Sequence, residues 1–289
     1  MLPFKAACVQ LNSGNDLDAN LRSIADAVGT AKQQGAQFVM LPEYAALLDG
    51  SGRVMRENSF PEDTHPALEA CRTLARNHAL HLLVGSLTIR VDEERMANRS
   101  YLLAPDGSTM ASYDKIHMFD VELSGVGGQS YRESSTFKPG ERSVLAETPW
   151  GVLGMTICYD LRFPYLYREL AHAGAVMLSI PSSFTVPTGK AHWHAILRSR
   201  AIETGCFVFA PAQVGTHKGS NRQTYGHSIA IAPWGEVLVD AGGEKPGFVI
   251  ADIDLAKVVE ARKAVPSLQH DRKYSPPVLH KAAVAKAAE

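Results

Sequence analysis

Gly151-Val152-Leu153-Gly154-Met155-Thr156-Ile157-Cys158-Tyr159-Asp160-Leu161-Arg162-Phe163-Pro164 passes from a strand pattern to a helix pattern, with a cysteine at the change. Val152, Met155 and Ile157 suit a buried strand, and Pro164 suits the first turn of a helix that Tyr165 to His172 continue. A thiol beside the amino end of a helix lies in the positive field of the backbone dipoles, which favours thiolate. Cys158 is therefore a candidate nucleophile. Position alone does not separate it from a buried, inert cysteine, because free Cys is among the most buried residue types.

Working outward, strand and helix patterns alternate. Phe4 to Leu11 is a β-type run, and Leu17, Leu21, Ile24, Val28 and Ala31 then recur on one helical face. Gln37 to Glu43 is a second apolar strand ending in an acid, so Glu43 falls at a strand's carboxyl end, where open α/β sheets bind ligands. Gly50 to His65 is polar and irregular and reads as a surface excursion; a helix from Leu68 and a strand from His81 follow. Pro105-Asp106-Gly107, Pro149-Trp150-Gly151 and Pro233-Trp234-Gly235 each sit between β-type runs and suit hairpin turns. The chain thus mixes βα units with hairpins in two comparable halves, a layered α/β architecture. Asp114 to Gly140 has little periodicity, and such long segments inside a compact domain are usually functional or disordered. Residues 1–275 read as one domain, and 276–289 as an Ala/Lys-rich tail that frays or reaches across an interface.

With 289 residues, 45% of them hydrophobic, the chain can bury a substantial core without staples. Its 29 basic and 30 acidic residues form no long run of one sign, which argues against nucleic acid or an anionic membrane as partner. Cys8, Cys71, Cys158 and Cys206 are scattered without a CxxC pair, as suits a reducing compartment. No apolar run reaches a membrane-spanning length and the first residues lack a secretion pattern, so the expected location is the cytoplasm. Asn98-Arg99-Ser100 matches a glycosylation acceptor only formally.

Glu43, Lys115 and Cys158 stand at three strand or loop ends. Their surroundings are Leu41-Pro42-Glu43-Tyr44, Tyr113-Asp114-Lys115-Ile116-His117-Met118-Phe119 and Ile157-Cys158-Tyr159-Asp160-Leu161-Arg162-Phe163-Pro164. In combination these resemble the nitrilase superfamily of carbon–nitrogen hydrolases from about residue 4 to about 270. Phe119 to Leu123, Arg132-Glu133-Ser134, Thr188 to Trp193, Arg200 to Glu203 and Tyr225-Gly226-His227-Ser228 make the match most similar to the Nit branch, which holds deaminated-glutathione amidases and ω-amidases. The resemblance implies a four-layer αββα sandwich, no cofactor or metal, a homodimer or higher oligomer, and a small-molecule amide as substrate, deaminated glutathione ahead of α-ketoglutaramate. It implies Glu133 as a second glutamate that positions Lys115 or the substrate.

The chemistry fits those residue types. Cleaving an unactivated amide needs a strong nucleophile, a group that accepts and then returns a proton, and positive charge at the developing oxyanion. Cys158, Glu43 and Lys115 supply these in turn, with the backbone N–H of Tyr159 as a second oxyanion donor. A carboxylate-bearing substrate needs a further cation; Arg162, four residues after Cys158, is the candidate, and pairing with Asp160 is its structural alternative. A true nitrilase is the competing enzyme, although that branch usually follows its cysteine with Trp-Glu rather than Tyr159-Asp160. A non-catalytic binding protein on the same fold is the alternative from another class. His192 and His194, two apart on a helix, point in different directions and make poor co-ligands for a metal. Gly125 to Gly128 lacks the strand-before, helix-after setting of a phosphate loop.

Overall fold

The computed structural model describes residues 3–127, 129–220 and 222–280. Gly128 of the glycine stretch and residues 281–289 of the tail lie outside the described residues.

Two six-stranded sheets repeat one pattern. The first runs Gly247–Ile253, Phe4–Gln10, Phe38–Met40, His81–Arg90, Met96–Leu103, Thr109–Asp114, and the second runs Val144–Thr148, Gly151–Met155, Met177–Ser179, Phe207–Ala210, Ile229–Ile231, Val237–Asp240. In each, three central strands are parallel and are joined through helices, as parallel neighbours require, while hairpins supply antiparallel strands on one side. The remaining edge is exchanged. The first sheet takes its outer strand, Gly247–Ile253, from the far end of the chain, in register with Phe4–Gln10 over seven pairs.

Side-chain alternation assigns the faces. Ala7 and Val9 pack with Ile24, Val28, Leu68 and Cys71 of the helices Leu17–Gln33 and Pro66–His78. Phe4, Ala6 and Cys8 point the other way, into a core shared with the second sheet and the helices Pro164–His172 and Val186–Thr204. The order is helices, sheet, sheet, helices, the αββα sandwich. The seam between the sheets includes Phe38 edge-on to Phe209 and the Cys8 thiol directed at the Ile229 carbonyl. All three expected turns join hairpin strands. Trp150, from the second sheet's first hairpin, stacks on Phe4 and Phe38 and meets His81, covering the starts of the first sheet's parallel strands.

Two segments differ from the sequence reading. The stretch from Gly50 to His65 is more than a surface excursion: it forms a helix, Gly52–Glu57, whose Met55 is buried. Val54 and Met55, adjacent in a six-residue helix, carry too little periodicity to reveal it. The aperiodic segment after Asp114 contains a short hairpin, Asp120–Glu122 with Ser130–Arg132, held by local pairing rather than by an apolar face.

Candidate active site

Each functional side chain leaves a sheet near the carboxyl end of a strand. Glu43 follows Phe38–Met40, Ser183 follows the corresponding strand Met177–Ser179, Lys115 follows Thr109–Asp114 and Cys158 follows Gly151–Met155. The Glu43 loop can approach the neighbouring strand because residue 85 is glycine: a Cβ there would collide with the carbonyl oxygens of Leu41 and Pro42. Gln213 then fastens the loop from the second half, its amide donating to the Glu43 carbonyl at 3.0 Å.

Cys158 occupies a tight 3₁₀ turn, Cys158–Arg162, with φ of 49°, a left-handed conformation that side chains other than glycine seldom adopt. Asp160 holds it there. This fully buried carboxylate accepts from Ile157 N at 2.9 Å, Tyr113 Oη at 2.7 Å and His117 N at 3.0 Å. Because Tyr113 and His117 flank Lys115, Asp160 ties the nucleophile's turn to the lysine's segment. The α-helix begins only at Pro164, so the expected thiolate-favouring helix terminus is not where Cys158 lies. Burial, with Glu43 adding to it and Lys115 opposing, pushes the thiol well above its ordinary value. The resting sulfur carries its proton.

Glu43 and Lys115 are almost completely buried and joined at 3.0 Å. Burial alone would raise the Glu43 pKa, but Lys115, Ser183, Cys158 and Arg222 together outweigh it and hold the carboxyl below its ordinary range. Ser183 donates twice to one Glu43 oxygen, from N at 3.0 Å and Oγ at 2.6 Å, while Asn98 Nδ2 donates to the other at 2.9 Å. Burial works against the Lys115 charge; Glu133, Glu43 and the Cys158 sulfur outweigh it and hold its pKa above the usual lysine value. Glu133 sits 2.8 and 3.0 Å from Lys115 Nζ and also accepts from Tyr44 Oη and Phe119 N. Tyr159 lies in the first turn after Cys158, where backbone N–H groups have no acceptor within the turn.

Glu43, Lys115, Glu133 and Cys158 share the wall of one cavity of about 290 Å³. Arg162 is not in that wall. Its guanidinium stands beside it, 5.7 Å from the ring of Phe184, which does line the cavity, and 3.2 Å from His192 Nδ1. It does not pair with Asp160, whose oxygens are taken by the donors just described. Besides Lys115, the cations in the wall are Arg132 and Arg222; Arg222 donates to Ser183 Oγ at 2.9 Å and keeps its Nε buried without a partner among the described residues. Ser183, Asn98 and Arg222 escaped the sequence reading. Ser183 carries no local signal, since the second half's counterpart of Glu43 is Ser182, one residue earlier; Asn98, buried on a strand between two carboxylates, looked only like a surface acceptor.

Fold and site together define a mixed α/β hydrolase, with a thiol set against a buried carboxylate and ammonium. The carbon-nitrogen hydrolase family model matches residues 5–263, and the chain belongs to that family; it is an enzyme acting on carbon–nitrogen bonds. It is 40% identical over 275 residues to the deaminated glutathione amidase of Synechocystis sp. (strain PCC 6803 / GT-S), covering 93% of this chain and 98% of that one. It is 38% identical to the deaminated glutathione amidase of Homo sapiens, covering 94% and 83%. Among solved structures it resembles Saccharomyces cerevisiae Nit3, a member of branch 10 of the nitrilase superfamily, with a TM-score of 0.81 and 29% identity over 91% of this chain and 94% of that one.

Proposed function

We propose that the chain hydrolyses deaminated glutathione through a thioester on Cys158, giving α-ketoglutarate and cysteinylglycine. The observation that carries the chemistry is the burial of a Glu43–Lys115 ion pair in the same cavity wall as Cys158. An ion pair desolvated to this extent is weak evidence for stability and fits a site that must place charge against a reacting carbonyl. The substrate rests on the named relatives.

Glu43 takes the thiol proton as Sγ attacks the carbonyl carbon. Since the resting proton favours sulfur, transfer is uphill until charge develops on the carbonyl oxygen, so transfer and attack proceed together. Lys115 Nζ and the Tyr159 N–H receive the oxyanion; both Glu133 oxygens can share one ammonium hydrogen, leaving another for substrate. Glu43 returns the proton to the leaving amine, then activates water against the thioester. Arg222 within the cavity and Arg162 beside it take the substrate's remote carboxylates.

The decisive experiment is steady-state kinetics on deaminated glutathione, α-ketoglutaramate, an uncharged amide and a nitrile. Deaminated glutathione should give the highest kcat/KM, and Arg222→Met should lower it by about 10- to 100-fold, the worth of a hydrogen bond to a charged group, and by more than it lowers that of the uncharged amide, which feels only the change around Glu43. Preference for the nitrile or the uncharged amide overturns the substrate, and no turnover of any of the four overturns the enzyme mechanism. The reading extends to a cytoplasmic homo-oligomer, supported by four free cysteines and by exposed Tyr165, Ile202 and Trp234; light scattering on the purified chain tests the assembly.

A further inference from the structure

Away from the catalytic cavity, His194, His227 and Asp240 bring three ligand atoms within 4.8 Å of one another. They come from three elements: the helix Val186–Thr204, the turn before the strand Ile229–Ile231, and the end of the strand Val237–Asp240. His194 does point away from His192, as helical spacing requires, but it meets partners that spacing along one helix cannot reveal. Its Nε2 is 2.8 Å from Asp240 Oδ2, and His227 Nδ1 is 3.0 Å from Asp240 Oδ1.

Two of the three members, His227 and Asp240, are also fixed by contacts outside the cluster. His227 adopts φ of 58°, unusual for a residue with a side chain, and is pinned there by Trp193 Nε1 donating to its carbonyl and by its own N–H donating to Gly242 O. Its ring stacks on Tyr225 at 4.4 Å, and Asp240 Oδ1 accepts from Gly242 N at 2.8 Å. The two imidazoles stand at 79° to one another with centroids 4.9 Å apart, so their nitrogens converge on the carboxylate from different directions. Strain retained at His227 and pinned on both sides belongs with a site held for a ligand rather than with a surface ion pair.

We propose that His194 Nε2, His227 Nδ1 and one Asp240 oxygen bind a zinc ion, with solvent as fourth ligand. Two imidazoles and one carboxylate are a donor set that zinc accepts at about 2.0–2.2 Å in tetrahedral array. Tetrahedral ligands at that radius stand about 3.3 Å apart; around Asp240 Oδ2, which both imidazoles reach, the 2.8 and 3.1 Å separations need open by only a few tenths of an ångström, and the two imidazole nitrogens, within 4.8 Å of each other, close to the same spacing. Each neutral imidazole ligates through the nitrogen that now faces Asp240, its one ring proton residing on the other nitrogen. It clamps the Val186–Thr204 helix to the strands behind it. The same helix carries Thr188 of the cavity wall, and its Gly189 admits the ring of Tyr225, so the clamp steadies one side of the catalytic cavity without supplying a catalytic group.

The test is equilibrium dialysis of the full chain against zinc, in a Cys158→Ser background so that the catalytic thiol cannot serve as a ligand. One zinc per chain is expected, with affinity reduced by at least about tenfold in each of Asp240→Asn, His194→Gln and His227→Gln, no less than the loss of an outer hydrogen-bond partner costs a metal site. Cobalt should give a tetrahedral visible spectrum in the parent and not in Asp240→Asn. Zinc should raise the thermal midpoint of the parent and leave that of Asp240→Asn unchanged. Absence of stoichiometric zinc, or equal zinc in the parent and in Asp240→Asn, overturns the proposal. Because every readout is binding or stability, it stands or falls apart from the amidase reading.

Discussion

At the residue scale, Lys115 separates a catalytic ion pair from a structural one. Lys115→Ala should lower kcat by on the order of 10²-fold or more, the usual loss of an oxyanion donor, and a near-normal kcat in a folded variant would show the ammonium serves only to balance two buried acids. Glu43→Gln should block acylation and deacylation alike, because an amide can neither accept nor return the proton; rapid thioester formation would remove Glu43 as sole base. Cys158 should be the first of the four thiols alkylated by iodoacetamide, for a reason different from the one its sequence setting suggests. It alone opens on the cavity, whereas burial pushes Cys8 and Cys71 up to about 12. Since its own thiol is raised too, the labelling rate should keep climbing through the alkaline range; a plateau already reached at neutral pH would mean a resting thiolate.

At the element scale, the site depends on close approach between segments far apart in sequence. Gly85→Ala should force the Leu41-Pro42-Glu43 segment off its neighbouring strand, with a loss on the order of 1–3 kcal/mol for overpacking and a marked fall in kcat. Urea unfolding paired with kinetics checks this, and unchanged kcat would mean that Glu43 is positioned without the loop. The strands and the hairpin turns were legible because short-range pattern encodes them, whereas Glu43, Lys115 and Cys158 were singled out only through the family resemblance that their three motifs carry together. What stayed hidden was pairing across the seam. Nothing near Ser183 announces a carboxylate 140 residues earlier, nothing near His194 announces Asp240, and the helix that starts at Pro164 as expected is separated from Cys158 by a 3₁₀ turn held by Asp160.

At the scale of the whole molecule, acid stability is set by two histidines buried without charge. Burial lowers His65 and His217 to about 4; the hydrogen bonds of His65 to Thr88 and of His217 to Ser13 oppose this only in part. The unfolded chain takes up their protons near pH 6.5, so stability should fall as pH drops from about 6.5 toward 4, a loss these two groups complete near their folded values. Glu43, with a lowered folded pKa, adds a loss that begins below the ordinary carboxylate value of 4.5. Thermal unfolding across this range should show the decline starting well above pH 4.5; a flat midpoint down to pH 5 would mean that the histidines charge without unfolding the protein. The exchanged edge strands carry a consequence for biosynthesis. Glu43 leaves the ribosome long before Ser183 and Cys158, and the first sheet lacks its outer strand until residues 247–253 have been made. The edge of Phe4–Gln10 is therefore open for pairing throughout the synthesis of Glu43, Lys115, Cys158 and Ser183.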